Sequence, residues 1–154
     1  MHDGKPFGLL QVYTFADAPE SLAELTRVCP VPPGALSIDY LIGEPAARGR
    51  GLGAALIAAA VPRGFAGHPQ AADVLVPVAR GNEASWRALR RAGATWYAEG
   101  ELVPVDPPDH VVHRFTGTGS FFRAVSWPAT QVARPAAPGR RPVPVCPARR
   151  GWTW

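Results

Sequence analysis

Lysine occurs once in this sequence, at Lys5, methionine once, and cysteine twice. Cys29 and Cys146 lie far apart in proline-rich surroundings with no metal-ligand spacing, so unpaired thiols in a cytoplasmic protein and no metal are expected. No run approaches the ~18 apolar residues of a membrane span. The start, "MHDGKPFG", lacks the basic-then-apolar pattern of a secretory leader, and the sequence predicts no membrane partner. Acidic residues are missing altogether from residues 118–154, which hold six arginines. All 12 Asp and Glu lie in residues 1–117, beside ten Lys and Arg, so the formal net charge of +4 is a property of the tail. A nucleic-acid-reading domain would carry its positive stripe on ordered structure, so no specific nucleic-acid partner is expected.

What is present is enough for one domain. The 154 residues, 47% hydrophobic, suit a single core and are too few for two comfortable ones. "FGLLQVYTF", residues 7–15, reads as a strand. Residues 17–34, with Pro19, Pro30, Pro32, Pro33 and Gly34, read as a loop with one helical turn around 21–26. "ALSIDYLI", residues 35–42, alternates as a second strand, with Leu36, Ile38, Tyr40 and Ile42 on an apolar face and Ser37, Asp39 and Leu41 on the other. Residues 51–65 follow as a helix whose expected stripe is Leu52, Ala55, Leu56, Ala59 and Ala60. Residues 72–78 make a short strand in which Pro77 requires one unpaired edge. Asn82 then caps a helix running to about residue 92, with Gly93 as its stop. Strands at 96–103 and 111–115 close the domain. The predicted fold class is a mixed α/β (α+β) architecture, a mostly antiparallel sheet flanked by helices, over residues 1–117. From residue 118 the chain has frequent proline and no periodicity, and reads as a disordered tail.

Between the second strand and the first long helix stands "GEPAARGRGLGAAL", which puts Gly49, Gly51 and Gly53 at a helix mouth beside Arg48 and Arg50. Amides at a helix start point outward with partial positive charge, and a loop without side chains lets an anion approach them. The spacing matches neither the Gly-x-x-x-x-Gly-Lys-Ser/Thr loop nor the dinucleotide-binding glycine fingerprint. It does resemble the signature of the GCN5-related N-acetyltransferase (GNAT) superfamily, Arg/Gln-x-x-Gly-x-Gly/Ala, as Arg48-Gly49-Arg50-Gly51-Leu52-Gly53. A second motif of that family, Asn at a helix start and Gly past its end, is met by Asn82, Ser85 and Gly93 in "GNEASWRALRRAGA". Within the superfamily the "SIDYLIGEPAARGRGLGAALI" segment looks most like the aminoglycoside 6′-N-acetyltransferases, which carry an Ile-Asp pair in the strand before the loop. Siderophore-related lysine acyltransferases more often show His where Asp39 stands.

The resemblance, which covers about residues 4–116, implies an enzyme that moves an acetyl group from acetyl-coenzyme A, as co-substrate, to a primary amine of a small molecule, with aminoglycosides among the candidate acceptors. It assigns the coenzyme to Leu41, Ile42 and Gly43 along a splayed strand, to Arg48, Gly49, Arg50, Gly51, Leu52, Gly53 and Ala54 at the glycine loop, and to Asn82 and Ser85 on the next helix. It makes Asp39 the base or amine-orienting carboxylate, with Glu44 a weaker alternative, and it is compatible with a homodimer. His110 and His113 read as packing or surface histidines. The alternatives are a lysine or protein N-acyltransferase and an inactive coenzyme-binding remnant. Departures from the pattern are Leu89 where many members place a Tyr acid, Arg90-Arg91 for a Glu-Lys pair, Ala94 for Phe, and Pro77 where aminoglycoside enzymes have an acid. The family's first strand, two helices and following strand have no counterpart in the sequence, which predicts an N-terminally truncated version of the fold.

Overall fold

A computed structural model describes residues 4–117. The expected tail, 118–154, lies outside the described residues. The elements are β1 (Gly8–Thr14), α1 (Pro19–Leu25), β2 (Leu36–Ile42), α2 (Leu52–Gly67), β3 (Asp73–Ala79), α3 (Glu83–Arg91), β4 (Thr95–Glu101) and β5 (Asp109–Thr116). Short 3₁₀ turns occupy Phe15–Asp17 and Pro45–Ala47. The five strands form one sheet in the order β1-β2-β3-β5-β4, in which only the β2–β3 pair is parallel. This is the mixed, mostly antiparallel sheet that the sequence implies.

Two apolar layers sandwich the sheet. On one face α2 and α3 cover Leu36 and Ile38 of β2, Val74, Val76 and Val78 of β3 and Phe115 of β5, closing over Ile57, Val61 and Leu89. On the other face Leu25 of α1 joins Phe15, Cys29, Ala35, Leu75, Leu102 and Val112. Strand parity dictates this: Val74 and Val76 face one layer while Leu75 faces the other, so β3 is apolar on both sides and sits in the middle.

Three expectations need correcting. The 17–34 segment holds two full turns of helix at Pro19–Leu25 rather than one, because Pro19 at the first helical position has no amide to waste and presets φ. The buried stripe of α2 is Ile57, Val61 and Gly64, while Ala55 and Ala59 are exposed. An alanine-rich helix offers little contrast between its faces, so the few branched side chains choose the one that packs. Ser37 is not on an open face, being 1% exposed. It shares its side of β2 with Ala35, and the layer around α1 covers that side at this end of the strand.

The β2–β3 pair explains why Pro77 is tolerated in a central strand. Its register is formed at Leu36↔Val74, near the start of both strands. Pro77 lies three residues further on, paired with Val112 of β5. Its missing N–H therefore falls beyond the point where β2 is joined to β3, as the sequence requires.

Candidate functional site

At the far end of β2 the chain turns through Gly43 and Glu44 into the glycine loop. The Glu44 carboxylate accepts from the Ala46 amide at 3.3 Å, and Arg48 Nε donates to the Ile42 carbonyl at 3.2 Å, folding the loop back onto the strand end. Gly8 of β1 meets the same place: a Cβ there would stand 2.5 Å from the Leu41 carbonyl oxygen. Gly49 has φ +70° and Gly51 φ +79°, conformations that other residues adopt only under strain. Gly51 is the N-cap of α2 and, lacking a side chain, caps nothing. The first helical bond runs from the Ala55 amide to the Gly51 carbonyl at 3.1 Å, which leaves the Leu52, Gly53 and Ala54 amides at the helix mouth. The first turn has no acidic residue, and Arg48 and Arg50 are exposed beside it. The helix dipole and two guanidinium groups make this the place in the described chain best suited to a polyanion.

The second motif comes to the same neighbourhood. Gly53 packs against Ala88 of α3 and Ile42 of β2, where an added Cβ would make ordinary contacts of 3.7 and 3.8 Å. Asn82 Oδ1 accepts from the Ser85 amide at 3.1 Å and so caps α3. The Ser85 hydroxyl hydrogen-bonds the Tyr40 hydroxyl of β2. Burial, opposed more weakly by that hydrogen bond, pushes the Tyr40 pKa up to about 12, so the phenol stays neutral and able to donate. Alternation along β2 places Tyr40 on the apolar face and does not foretell this contact of its hydroxyl. Its signal was present in the Asn-x-x-Ser spacing, which puts a hydroxyl at the start of the neighbouring helix.

Asp39 is next to Tyr40 in sequence but belongs to the other face of β2. It is half-buried and pairs across to Gln11, whose Nε2 donates to Asp39 Oδ2 at 3.1 Å. One step further along the same face Leu9 and Leu41 are cross-strand partners, 61% and 37% exposed. A carboxylate therefore lies at the boundary between the covered and the open part of this face, beside an apolar pair. Glu44 is exposed and occupied with its own turn. Leu89, at the position of the family's tyrosine acid, is fully buried in the core. Among the described residues no cluster of three His, Cys, Asp or Glu side chains could hold a metal ion. No described helix is long and apolar enough to cross a membrane.

A sequence model of the acetyltransferase (GNAT) domain matches residues 1–102. The chain belongs to the GNAT acetyltransferase family. Solved structures agree on the fold. Aminoglycoside acetyltransferase AAC(6′)-Ib in complex with coenzyme A superposes with a TM-score of 0.64 at 23% identity, over 76% of this chain and 63% of that one. The same enzyme with ribostamycin and coenzyme A gives 0.67 at 22% identity, over 82% and 66%. RimJ of Mycobacterium smegmatis, in complex with CoA-disulfide, gives 0.56 at 19% identity over 75% and 49%. The chain thus spans about two thirds or less of the length of these GNAT structures. No protein of curated function matches the sequence.

Proposed function

We propose that this GNAT domain transfers an acetyl group from acetyl-coenzyme A to the primary amine of a small molecule, with an aminoglycoside among the candidate acceptors. The observation that carries the proposal is the union of an uncapped, acid-free helix mouth with a strand pair joined only near its start. A diphosphate fits the first. The second leaves room for a thin, amide-bearing arm beside Leu41, Ile42 and Gly43, and a route from the helical face of β2 to the face that carries Asp39. Structures of AAC(6′)-Ib and RimJ, which share the fold, were solved with coenzyme A or a derivative.

The donor set fits the co-substrate. Leu52, Gly53 and Ala54 offer amides, Arg48 and Arg50 offer charge, and Asn82 and Ser85 stand one helix away. The thioester supplies an electrophilic carbonyl and a thiolate leaving group. Asp39, held by Gln11, orients the amine and takes the proton released as the new C–N bond forms and the C–S bond breaks. Backbone amides of Leu41–Gly43 donate to the oxygen on which negative charge develops. With Leu89 in place of a tyrosine, solvent returns the proton to the thiolate. A carboxylate at the site also favours cationic polyamines over neutral acceptors.

The test is thiol release from acetyl-coenzyme A across a panel of aminoglycosides, lysine-like amines and peptides. Turnover of at least one amine is expected. Binding of the coenzyme without turnover of any would overturn the enzymatic reading, and preference for peptides would overturn the acceptor class.

A further inference from the structure

The acetyl-transfer reading uses Asp39 on one face of β2 and the amides from Leu41 onward, and gives Tyr40, which stands between them, no part. Tyr40 is four residues past Leu36, the point where β2 is joined to β3, or about 13 Å further along the strand. One edge of β2 is still paired at this level, through Leu10 of β1. On the edge toward β3 the register has already ended. The Tyr40 ring packs against the core layer of α2 and α3. A phenylalanine ring would pack there as well, so packing alone does not call for the hydroxyl.

That hydroxyl crosses the gap. It hydrogen-bonds the Ser85 hydroxyl and stands 3.5 Å from the Ser85 carbonyl oxygen. Ser85 belongs to α3, which follows β3 after the short turn of residues 80–82. The bond therefore ties β2 to the β3–α3 side at a level where no backbone ladder joins them. A phenol is the more acidic of the two hydroxyls and burial keeps it neutral, so Tyr40 donates and Ser85 accepts. The Ser85 proton is then left over. Among the described residues its hydroxyl has no second partner, and its amide already donates to Asn82 Oδ1. Ser85 is only half-buried, so a ligand can approach it.

The bridge lies one step from the helix mouth. Tyr40 and Ile42 share a face of β2, and Ser85 and Ala88 share a face of α3. Ile42 and Ala88 are the side chains that flank Gly53, whose amide is one of the three left at the mouth of α2. A chain that leaves a diphosphate there and follows the open edge of β2 meets Tyr40 after two strand residues, about 7 Å. We infer that Tyr40 is a positioning residue for the acyl-carrying arm of the coenzyme: through Ser85 it fixes the gap between β2 and the β3–α3 side and turns the serine proton toward an amide carbonyl of that arm. A carbonyl that leaves water needs such a donor. This role rests on the acetyl-coenzyme A reading and adds to it a residue that touches the arm only through another.

The experiment uses the full chain and its Tyr40→Phe, Ser85→Ala and double variants. Each is titrated calorimetrically with acetyl-coenzyme A and with ADP, which carries a diphosphate but no arm. Tyr40→Phe is expected to weaken acetyl-coenzyme A about three- to tenfold, the worth of one hydrogen bond, and to leave ADP within about twofold. Ser85→Ala should weaken acetyl-coenzyme A at least as much. Adding Tyr40→Phe to it should change the affinity by less than about twofold, because Tyr40 acts through Ser85. Tyr40→Phe keeps the ring in the core, and an unchanged near-ultraviolet dichroism spectrum checks that it folds. A purely structural loss would move both probes alike. Equal weakening of the two probes, acetyl-coenzyme A binding to Tyr40→Phe within about twofold of the parent, or losses that add in the double variant would overturn the inference. A folded parent protein that binds no acetyl-coenzyme A would overturn the acetyl-transfer reading itself, so the two failures are told apart by the parent titration.

Discussion

The most informative single change is Gly51→Ala. Gly51 has φ +79° and ψ −1° at the N-cap of α2, and nothing lies within 4 Å of an added Cβ. The substitution therefore introduces no clash with the rest of the molecule, only left-handed backbone strain of about 1–2 kcal/mol. The free protein can shed part of that strain, because the loop is exposed and can turn residue 51 out of its left-handed state. Doing so rotates the amides at the helix mouth away from a common focus. The coenzyme-bound state needs that focus and must carry the whole penalty. Strain that does not appear as lost stability of the free protein thus appears as lost affinity, at about tenfold per 1.4 kcal/mol. Melting the protein saturated with coenzyme A reads the sum. For a domain of about 100 residues the bound midpoint should fall by roughly 5–10 °C. Gly53→Ala is the control: its Cβ would meet only ordinary contacts at 3.7 and 3.8 Å and alanine suits a helix better than glycine by up to about 1 kcal/mol, so the bound midpoint should not fall. If saturated Gly51→Ala melts within about 2 °C of the parent protein, the left-handed turn is not what the diphosphate requires and the reasoning fails.

Asp39→Asn should lower kcat by about 10²–10⁴ while leaving coenzyme A affinity within twofold; unchanged turnover would remove Asp39 from the chemistry. Tyr40→Phe should change the alkaline stability profile. Because the folded pKa is raised to about 12 from an ordinary value near 10, the folded state holds the proton more tightly, so the contribution is intact below pH 10 and is lost as pH rises toward 12. The parent protein should lose on the order of 2–3 kcal/mol over that window, and the variant measurably less, by urea titration at each pH. Arg114→Met leaves Asp73, 3% exposed, without the guanidinium that donates to it at 2.7 Å, and also removes a cation from the Tyr97 ring at 5.0 Å. It should destabilise by about 3 kcal/mol, and Asp73→Asn combined with it should recover a substantial part, because the penalty is an uncompensated buried charge.

The sequence made the order of elements legible because its punctuation is local. Asn82 caps α3 and Gly93, at φ +100°, ends it, as chain pattern alone implies. The Arg48–Gly53 run sits at the mouth of α2 between β2 and that helix. Pro77 forecast an interrupted pairing, and the β2–β3 register fits it. What could not be read depended on tertiary contacts. Ser37 alternates with Ile38 as a surface residue would, yet the layer built around Leu25 and Phe15 covers it, and nothing in β2 itself announces that layer. The buried stripe of α2 lies one position from the one its alanines suggest, because alanines mark every side of the helix. Tyr40 looked like a core residue until α3 brought Ser85 to its hydroxyl.

The claim on which the functional account stands is that the first turn of α2 grips a diphosphate. Isothermal titration of acetyl-coenzyme A into the full chain, with 3′-dephospho-coenzyme A and pantetheine as comparators, tests it directly. The account predicts saturable heat with the first two and none with pantetheine, which lacks the diphosphate. Heat from pantetheine equal to that from the coenzyme, or none from the coenzyme at millimolar concentration with a folded protein, would contradict it.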